Sequence, residues 1–322
     1  RGLGDVYKRQ LKNYLLSINI PTYKRLYEFS RLINSIYCEL GLLDETERVR
    51  IIVRIFENPS IVSTEKYLIL SQIKELGVTV QWHRNPINIG GDANIEKAYS
   101  FSHHTMYQWV IGDDEYLECN SMRRIYNLLN GSNDIGIVIL RDTIYPIHRR
   151  LLDKGAWASY FEFAKDCEIY QPHLLIAHTL ISSNIIKAGH FDATISNHYR
   201  NTIRKRIKTP FSFAHMKGIV STLSKCENLR TILLDQHIIN TTSRAPSLDS
   251  TENHEMHIQR LYMNYVLWLS HEFGIDHVKV LKSISSRSSL KLPTYIIKKV
   301  YHTLKELFLA IVQHLSHFYR KR

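Results

Sequence analysis

The sequence predicts an α/β fold in which helices flank a mainly parallel sheet. Short apolar runs alternate with helical patterns through the first part of the chain, as expected when helices connect parallel strands. Polar residues follow each apolar run, which is typical of strands that lead into a binding site. Four runs have the length of strands: Leu15–Ile20, Val49–Phe56, Val78–Trp82 and Met106–Ile111.

Three helical patterns separate these strands. Apolar residues recur at intervals of three and four in Leu26–Leu40 and in Thr64–Leu76, and a glycine follows each pattern, as at the end of many helices. A shorter helix is predicted for Asn94–Phe101. Pro21 is predicted to end the first strand, because proline cannot donate a hydrogen bond to a central ladder.

The fourth strand runs directly into an acidic cluster, Asp113, Asp114 and Glu115. Carboxylates crowded at a strand end repel one another and favour a cation between them. Their oxygens are the ligands that Mg²⁺ and Mn²⁺ prefer. A polar turn is the alternative interpretation, since Gly-Asp-Asp sequences end many strands.

Polar residues follow all four predicted strands. Because crossover connections place the carboxyl ends of parallel strands at one edge of the sheet, these residues are predicted to meet in one crevice. They are Thr22-Tyr23, Glu57-Asn58, Arg84–Asn94 and Asp113–Glu115.

The composition indicates a globular protein with anionic partners. The chain has 322 residues, 44% of them hydrophobic, which is ample for a packed core. Its 42 lysines and arginines exceed its 30 aspartates and glutamates, so the formal net charge is +12. Nucleotide phosphates, nucleic acid and acidic membrane surfaces all suit such a charge. We expect no nucleic-acid partner, because no nucleic-acid-binding motif is recognisable.

Cysteine spacing and the first residues bear on the cellular context. The four cysteines are far apart and show no paired spacing, which favours neither a zinc site nor a disulfide framework: Cys38, Cys119, Cys167 and Cys226. A reducing compartment, the cytoplasm, is therefore expected. We interpret residues 1–10, RGLGDVYKRQ, as a non-native leader and exclude them from the fold prediction.

The chain is predicted to divide into a domain at 11–243 and a helical C-terminal extension at 251–322. The domain has a first half at 11–117 and a second half at 118–243, and Arg244–Ser250 has the composition of a linker. The second half is predicted to contain a helix and two strands, at Asn120–Asn130, Ile135–Leu140 and Thr179–Ile186. The extension is predicted to form helices at His257–Leu269 and Tyr295–Tyr319.

Three interpretations remain open for the basic amphipathic segment 291–322. It can lie in a membrane interface, form the seam of a homodimer, or pack onto the preceding domain. Its longest stretch without charged residues, Leu307–Tyr319, has thirteen residues, short of the roughly 18 that span a bilayer. Basic residues near an anionic leaflet contribute about 1 kcal/mol each, which favours peripheral contact with the inner face of the cell membrane.

Four segments together resemble the family-2 glycosyltransferases, which have the Rossmann-like GT-A fold. They are SINIPTYKR, FENPS, HRNPINIGGDANI and WVIGDDEYL, and the resemblance covers Leu15–Leu117. It implies a metal-dependent, inverting transfer of a sugar from a nucleoside diphosphate-sugar to a glycan or lipid-linked acceptor. It further implies Mn²⁺ or Mg²⁺ as cofactor and a role in bacterial surface polysaccharide synthesis.

The resemblance also implies roles for individual residues. Asp113 and Glu115 correspond to the metal-binding Asp-x-Asp motif, and Glu57 stands where the family usually has aspartate. A purely structural role is the alternative at three of these positions: a solvated loop residue for Arg84, a helix N-cap for Asn94 and a core aromatic for Tyr23. The residues expected to bind the nucleotide-sugar are Pro21, Thr22, Tyr23, Arg25, Glu57, Arg84, Asn88, Gly90, Asn94, Asp113 and Asp114.

The acceptor side carries a weaker signal. Ser183 and Asn184 are expected to face the acceptor, since the family has a strand beneath the acceptor at this point. An inverting transferase needs a base for the acceptor hydroxyl. The acidic pair that often supplies it is absent, so His215 is the first candidate, as base or extra metal ligand, and Asp192 the second. This absence motivates an alternative hypothesis: a non-catalytic interaction protein that keeps the GT-A fold.

Overall fold

The computed structural model describes most of the first 241 residues and a few short stretches beyond them. The described residues are 14–61, 63–142, 147–172, 174–177, 181–206, 214–226, 228–241, 268–271, 274–276 and 279. The predicted leader, the linker Arg244–Ser250, most of the helix His257–Leu269 and all of the segment 291–322 lie outside them. Among the described residues, no helix is long and apolar enough to cross a membrane.

The described strands form one twisted sheet, which confirms the predicted mainly parallel α/β architecture. Its order is β3-β2-β1-β4-β8-β6-β9-β5, with β7 paired to β9. Strands β1 to β4, β6 and β9 share one direction, and β5, β7 and β8 run against it. The strands are β1 Tyr14–Thr22, β2 Ile51–Glu57, β3 Thr79–Arg84, β4 Thr105–Val110, β5 Glu115–Leu117, β6 Ile135–Asp142, β7 Ala156–Trp157, β8 Asn184–Lys187 and β9 Arg230–Thr241.

Helices cover both faces of this sheet. The structure confirms four predicted helices, with small shifts at their ends: α1, α3 and α4 between the first four strands, and α5 after β5. The helices are α1 Leu26–Gly41, α2 Glu45–Arg48, α3 Ser63–Glu75, α4 Gly91–Ser100, α5 Ser121–Leu129, α6 Arg149–Lys154, α7 Tyr160–Tyr170, α8 Leu174–Ala177, α9 Ala193–Arg206 and α10 Ala214–Leu223.

The prediction that Pro21 ends the first strand is wrong. Strand β1 continues through Pro21 and Thr22, which pair with Phe56 and Glu57 of β2. Its other neighbour, β4, departs after the hydrogen bond from Ile111 N to the Asn19 carbonyl. Alternate residues face the same neighbour, so the donor that proline lacks would point to the side that β4 has left. The extension carries Thr22 to the sheet edge.

In the second half, the strand predicted at Thr179–Ile186 forms later, at β8, where it runs antiparallel between β4 and β6. Strand β9 was not predicted. Its apolar residues are interrupted by polar ones, and its pairing with β6 shifts register twice between Leu140 and Asp142. Such irregular pairing hides the alternation that identifies a strand from sequence.

Two apolar clusters lie on the two faces of the sheet, because alternate strand residues point to opposite faces. Trp109 and Val138 belong to one cluster and Val110 and Ile137 to the other. Full burial of an aliphatic or aromatic side chain contributes about 1.5–3 kcal/mol. These clusters therefore hold the strand ends that carry the site in fixed positions.

Candidate active site

A pocket with polar and charged side chains in its wall lies where β1, β2 and β4 end. It is a cavity of ≈ 360 Å³, formed by the β1–α1 turn, the residue after β2, the start of α4 and the turn after β4. The predicted crevice at the sheet edge is therefore present. Its lining residues are Pro21, Thr22, Tyr23, Arg25, Asn58, Asn88, Gly90, Gly91, Asn94, Ile95, Gly112, Asp113, Asp114 and Ile181.

Asp113 holds the β1–α1 turn in place. Its Oδ2 accepts a hydrogen bond from the Thr22 hydroxyl at 2.7 Å and a longer one from Tyr23 N at 3.4 Å. The turn contains Lys24 with φ 63°, a left-handed conformation that costs energy for a side-chain-bearing residue. Tyr23 is half-buried on the pocket wall and is not a core residue.

Arg25 supplies the cation that the acidic cluster needs. Its Nη1 lies 2.8 Å from Asp114 Oδ2 and 3.3 Å from Asp113 Oδ1. Burial works to lower the pKa of Arg25, but the two carboxylates outweigh it and the pKa is raised. The Arg25 side chain is 43% exposed. This guanidinium is therefore both bound to the protein and open to a ligand in the pocket.

Asp113 is buried and lies close to two cations. Burial raises its pKa to about 6, against the opposing effects of the Thr22 hydrogen bond and the charge of Arg25. Lys66 of α3 lies behind the wall and donates to Thr22 Oγ1 at 2.6 Å. Burial lowers the pKa of Lys66, and the charges of Asp113 and Glu57 act against that shift.

A network of asparagines supports the wall beside the acidic turn. Asn85 Nδ2 donates to Asn58 Oδ1 at 3.0 Å and to Asn94 Oδ1 at 2.9 Å. Asn58 Oδ1 also accepts from Ile89 N at 3.2 Å, so this side-chain oxygen already accepts two hydrogen bonds from within the protein. Asn94 is not the helix N-cap: Gly90 caps α4 with φ 84°, a conformation that favours glycine. Asn58 was predicted to reach the crevice, but it was not among the residues expected to bind the donor.

Glu57 and Arg84 lie outside the wall. Glu57 is 0% exposed and accepts from Trp82 Nε1 at 3.2 Å, with Arg84 Nε 3.5 Å away. Arg84 packs over the Trp82 ring at 5.3 Å. Strand β2 extends through Glu57, so its next residue, Asn58, reaches the pocket instead. The only sequence signal for this exchange is the polar character of both residues.

Glu115 also lies off the wall, because a turn separates it from the strand before it. Glu115 N donates to the Gly112 carbonyl at 3.2 Å, and Glu115 begins β5. The two carboxylates that approach one cation are therefore Asp113 and Asp114. Within the described ranges no three His, Cys, Asp or Glu side chains form a group suited to a metal ion. The pairing of Asp113 with Glu115 around a metal ion stays a prediction.

Neither of the predicted catalytic candidates is among the residues that line the pocket. The His215 ring is buried and stacks on Tyr99, with centroids 5.6 Å apart and planes 6° apart. Asp192 caps α9, accepting from Thr194 N at 2.9 Å and Ile195 N at 3.0 Å. Their role as base for the acceptor hydroxyl stays a prediction.

The predicted acceptor contacts, Ser183 and Asn184, are buried and are not among the residues that line the pocket. Asn184 Oδ1 accepts a hydrogen bond from the Tyr99 hydroxyl at 3.4 Å. Ile181 lines the wall, and Ser182 fixes the acidic turn, because its Oγ accepts from Gly112 N at 2.8 Å. No sequence signal distinguishes Ser182, since its role depends on β8 lying beside β4.

Comparison with known proteins identifies the fold. No family model and no curated protein matches the chain. The crystal structure of S. aureus TarS 1-349 matches with a TM-score of 0.53 and 13% identity, over 86% of this chain and 75% of that chain. TarS 1-349 in complex with UDP-GlcNAc matches with a TM-score of 0.50 and 13% identity, over 85% and 73%. The longer TarS structure matches with a TM-score of 0.52, and the match covers only 46% of its length. At these identities the likeness establishes the fold alone: the chain has the GT-A fold predicted from the sequence.

Proposed function

We propose that the protein is a glycosyltransferase that moves a sugar from a nucleoside diphosphate-sugar to a glycan or lipid-linked acceptor. One observation carries the proposal: turns after β1, β2 and β4, together with the start of α4, bring polar and charged side chains into one pocket. Ligands of open α/β sheets bind at such strand ends. Nine of the residues expected to bind the donor from sequence line this pocket: Pro21, Thr22, Tyr23, Arg25, Asn88, Gly90, Asn94, Asp113 and Asp114.

The arrangement of charges suits a diphosphate leaving group. Breaking the bond between sugar and phosphate places negative charge on the diphosphate, and a fixed cation beside it stabilises that charge. Arg25 provides such a cation, since its guanidinium is held by Asp113 and Asp114 and remains partly exposed. Carboxylates beside it can accept hydrogen bonds from sugar or ribose hydroxyls.

Uridine diphosphate is the first donor nucleotide to test. TarS, whose fold this chain shares, has been crystallised with UDP and with UDP-GlcNAc. A Mn²⁺ or Mg²⁺ requirement, inversion, and a role in bacterial surface polysaccharide synthesis are further parts of the proposal. His215 and Asp192 remain the proposed bases, and Ser183 and Asn184 the proposed acceptor contacts.

The proposal is tested by measuring nucleotide binding and sugar transfer together. Isothermal titration with UDP, GDP and ADP, with and without Mn²⁺ or Mg²⁺, should reveal one preferred nucleotide. Asp113→Ala should weaken its binding, because the β1–α1 turn loses the acceptor of the Thr22 hydroxyl. Release of the nucleotide from its sugar conjugate should also fall in this variant. A wild-type protein that binds none of these nucleotides would refute the proposal.

A non-catalytic GT-A-fold binding protein is the second candidate. One observation favours it: among the described residues that line the pocket, only Asp113 and Asp114 are acidic and none is histidine. The pocket as described therefore offers no separate base. Tight binding of a nucleotide-sugar without turnover, across a panel of sugars and acceptors, would support this candidate over the transferase.

Contacts beyond the donor are also proposals. Peripheral membrane contact or a homodimer through 291–322 concerns residues that the structure does not describe. Flotation with anionic vesicles and size-exclusion chromatography with light scattering, both on the full chain, separate the two. DNA binding that falls steeply with salt would instead revive the nucleic-acid hypothesis.

A further inference from the structure

Lys66 is a fully buried lysine that lies one layer behind the pocket wall. Its side chain is inaccessible to solvent, and its Nζ lies 2.6 Å from Thr22 Oγ1. The same Nζ lies 5.1 Å from the centroid of the Phe29 ring. Lysine is almost never fully buried unless its charge has a partner. Its position behind the donor pocket therefore requires a physical explanation.

The hydrogen bonds from Lys66 have only one possible direction. An ammonium group donates and cannot accept, so Thr22 Oγ1 must be the acceptor of the bond from Lys66. The single hydroxyl hydrogen of Thr22 is then left to donate, and Asp113 Oδ2 lies 2.7 Å away. The result is a directed chain from Lys66 through Thr22 to Asp113. A charged group at each end strengthens both bonds in a buried environment.

Asp113 thus has a cation on each side. Arg25 approaches Oδ1 from the pocket side, whereas Lys66 acts on Oδ2 from the buried side through Thr22. Guanidinium groups bind phosphates well, so a diphosphate in the pocket competes with Asp113 for Arg25. Lys66 does not line the pocket and cannot be drawn away in this manner. The hydrogen bonds from Lys66 through Thr22 to Asp113 therefore persist when Arg25 binds a ligand.

We propose that Lys66 is a positioning residue for the donor pocket: through the Thr22 hydroxyl it fixes the Asp113 carboxylate, without touching the ligand itself. This inference rests on the proposed function as a nucleotide-binding site. It assigns Thr22 a role as the connecting group between a buried cation and the acidic turn.

A double-mutant cycle on the full chain tests the chain of hydrogen bonds, with UDP as probe, or GDP if the wild type prefers it. Lys66→Met and Thr22→Val should each weaken binding about tenfold, the scale of one buried charge-assisted hydrogen bond. The double variant should bind no more than about twofold more weakly than Thr22→Val, because each change breaks the same chain. Thr22→Ser keeps the hydroxyl and should bind more tightly than Thr22→Val.

Lys74→Met is the matched control, since Lys74 is an exposed lysine of the same helix and should leave affinity unchanged. If Lys66→Met does not fold, Lys66→Gln replaces it. Its amide oxygen can accept the Thr22 hydroxyl away from Asp113, so weaker binding is again expected. Unchanged affinity in the Lys66 variant, or a double variant whose loss is the product of the single losses, overturns the inference alone. A wild type that binds neither nucleotide overturns the proposed function and this inference together.

Discussion

Asp113→Asn should change how the stability of the protein depends on pH. The carboxyl group of Asp113 has an ordinary pKa of 3.8, and burial raises it to about 6 in the folded protein. Between these values the folded state holds a proton that the unfolded state has lost. Stability from this group is therefore present below pH 3.8 and is lost as pH rises to about 6.

The magnitude follows from the size of the shift. Each pKa unit corresponds to about 1.4 kcal/mol, so a shift from 3.8 to about 6 corresponds to about 3 kcal/mol in total. Roughly half of that, about 1.4 kcal/mol, is lost between about pH 5 and about pH 7.5. The amide that Asp113→Asn introduces does not titrate. The stability advantage of wild type over the variant should therefore shrink by this amount as pH rises.

Urea unfolding of both proteins at several pH values measures this difference, because titrations common to both cancel in the subtraction. Asp114→Asn is the comparison variant: it leaves Asp113 in place but removes a charge that raises the pKa of Asp113, so its pH-dependent stability should persist and move to lower pH. If the difference in unfolding free energy between wild type and Asp113→Asn stays constant or grows with pH, then burial does not raise the pKa of Asp113 and the reasoning is refuted.

Three further predictions concern single side chains. Asn58→Ala should weaken nucleotide binding about tenfold by calorimetry, because it removes a wall amide held by Asn85; unchanged affinity would remove Asn58 from the site. Gly218→Ala should destabilise the fold by about 1–3 kcal/mol, because its new Cβ would lie 2.7 Å from the Asp192 carbonyl oxygen. Gly41→Ala, whose Cβ would meet nothing within 4 Å, is its control, and equal effects would argue against this contact. Arg25→Ala should tighten Mn²⁺ binding in an electron paramagnetic resonance titration, because it removes a cation that competes with the metal ion for Asp113 and Asp114; weaker binding would show that Arg25 does not compete with the ion.

The fold of Leu15–Leu117, the part of the chain that resembles the glycosyltransferase family, could be predicted because its sequence signals are local. Each of the first strands alternates clearly with a helix, and each ends in polar residues. Thr22 and Asp113 lie far apart in sequence, yet parallel strand order alone places them at one sheet edge. Their hydrogen bond of 2.7 Å is the direct result of that order.

The differences between the expected and the observed pocket lining arise from geometry that a linear pattern does not contain. In a continuous strand, alternate residues such as Asp113 and Glu115 would share a face. The turn that joins Glu115 N to the Gly112 carbonyl breaks this alternation, so Asp114 lines the pocket beside Asp113. The one-residue extension of β2 likewise exchanges Glu57 for Asn58 at the wall.

Residues whose roles depend on distant pairing could not be identified at all. Ser182 reaches the acidic turn only because β8 inserts antiparallel between β4 and β6. Lys66 reaches Thr22, at the end of strand β1, from helix α3, across 44 positions of sequence. In the sequence it is one of many lysines, and nothing in its neighbours marks it as buried.

The short stretches described near the C-terminus bear on how the chain can be divided. Leu269 and Ile275 are buried in the apolar cluster that also contains residues of α7 and α10. Lys165 of α7 donates to the Gly274 carbonyl at 2.9 Å. A protein truncated after Thr241 would therefore leave apolar surface of α7 and α10 uncovered, and such surface promotes aggregation. Any shortened version intended for crystallisation should retain the chain at least to Asp276, whose backbone nitrogen donates to Glu168.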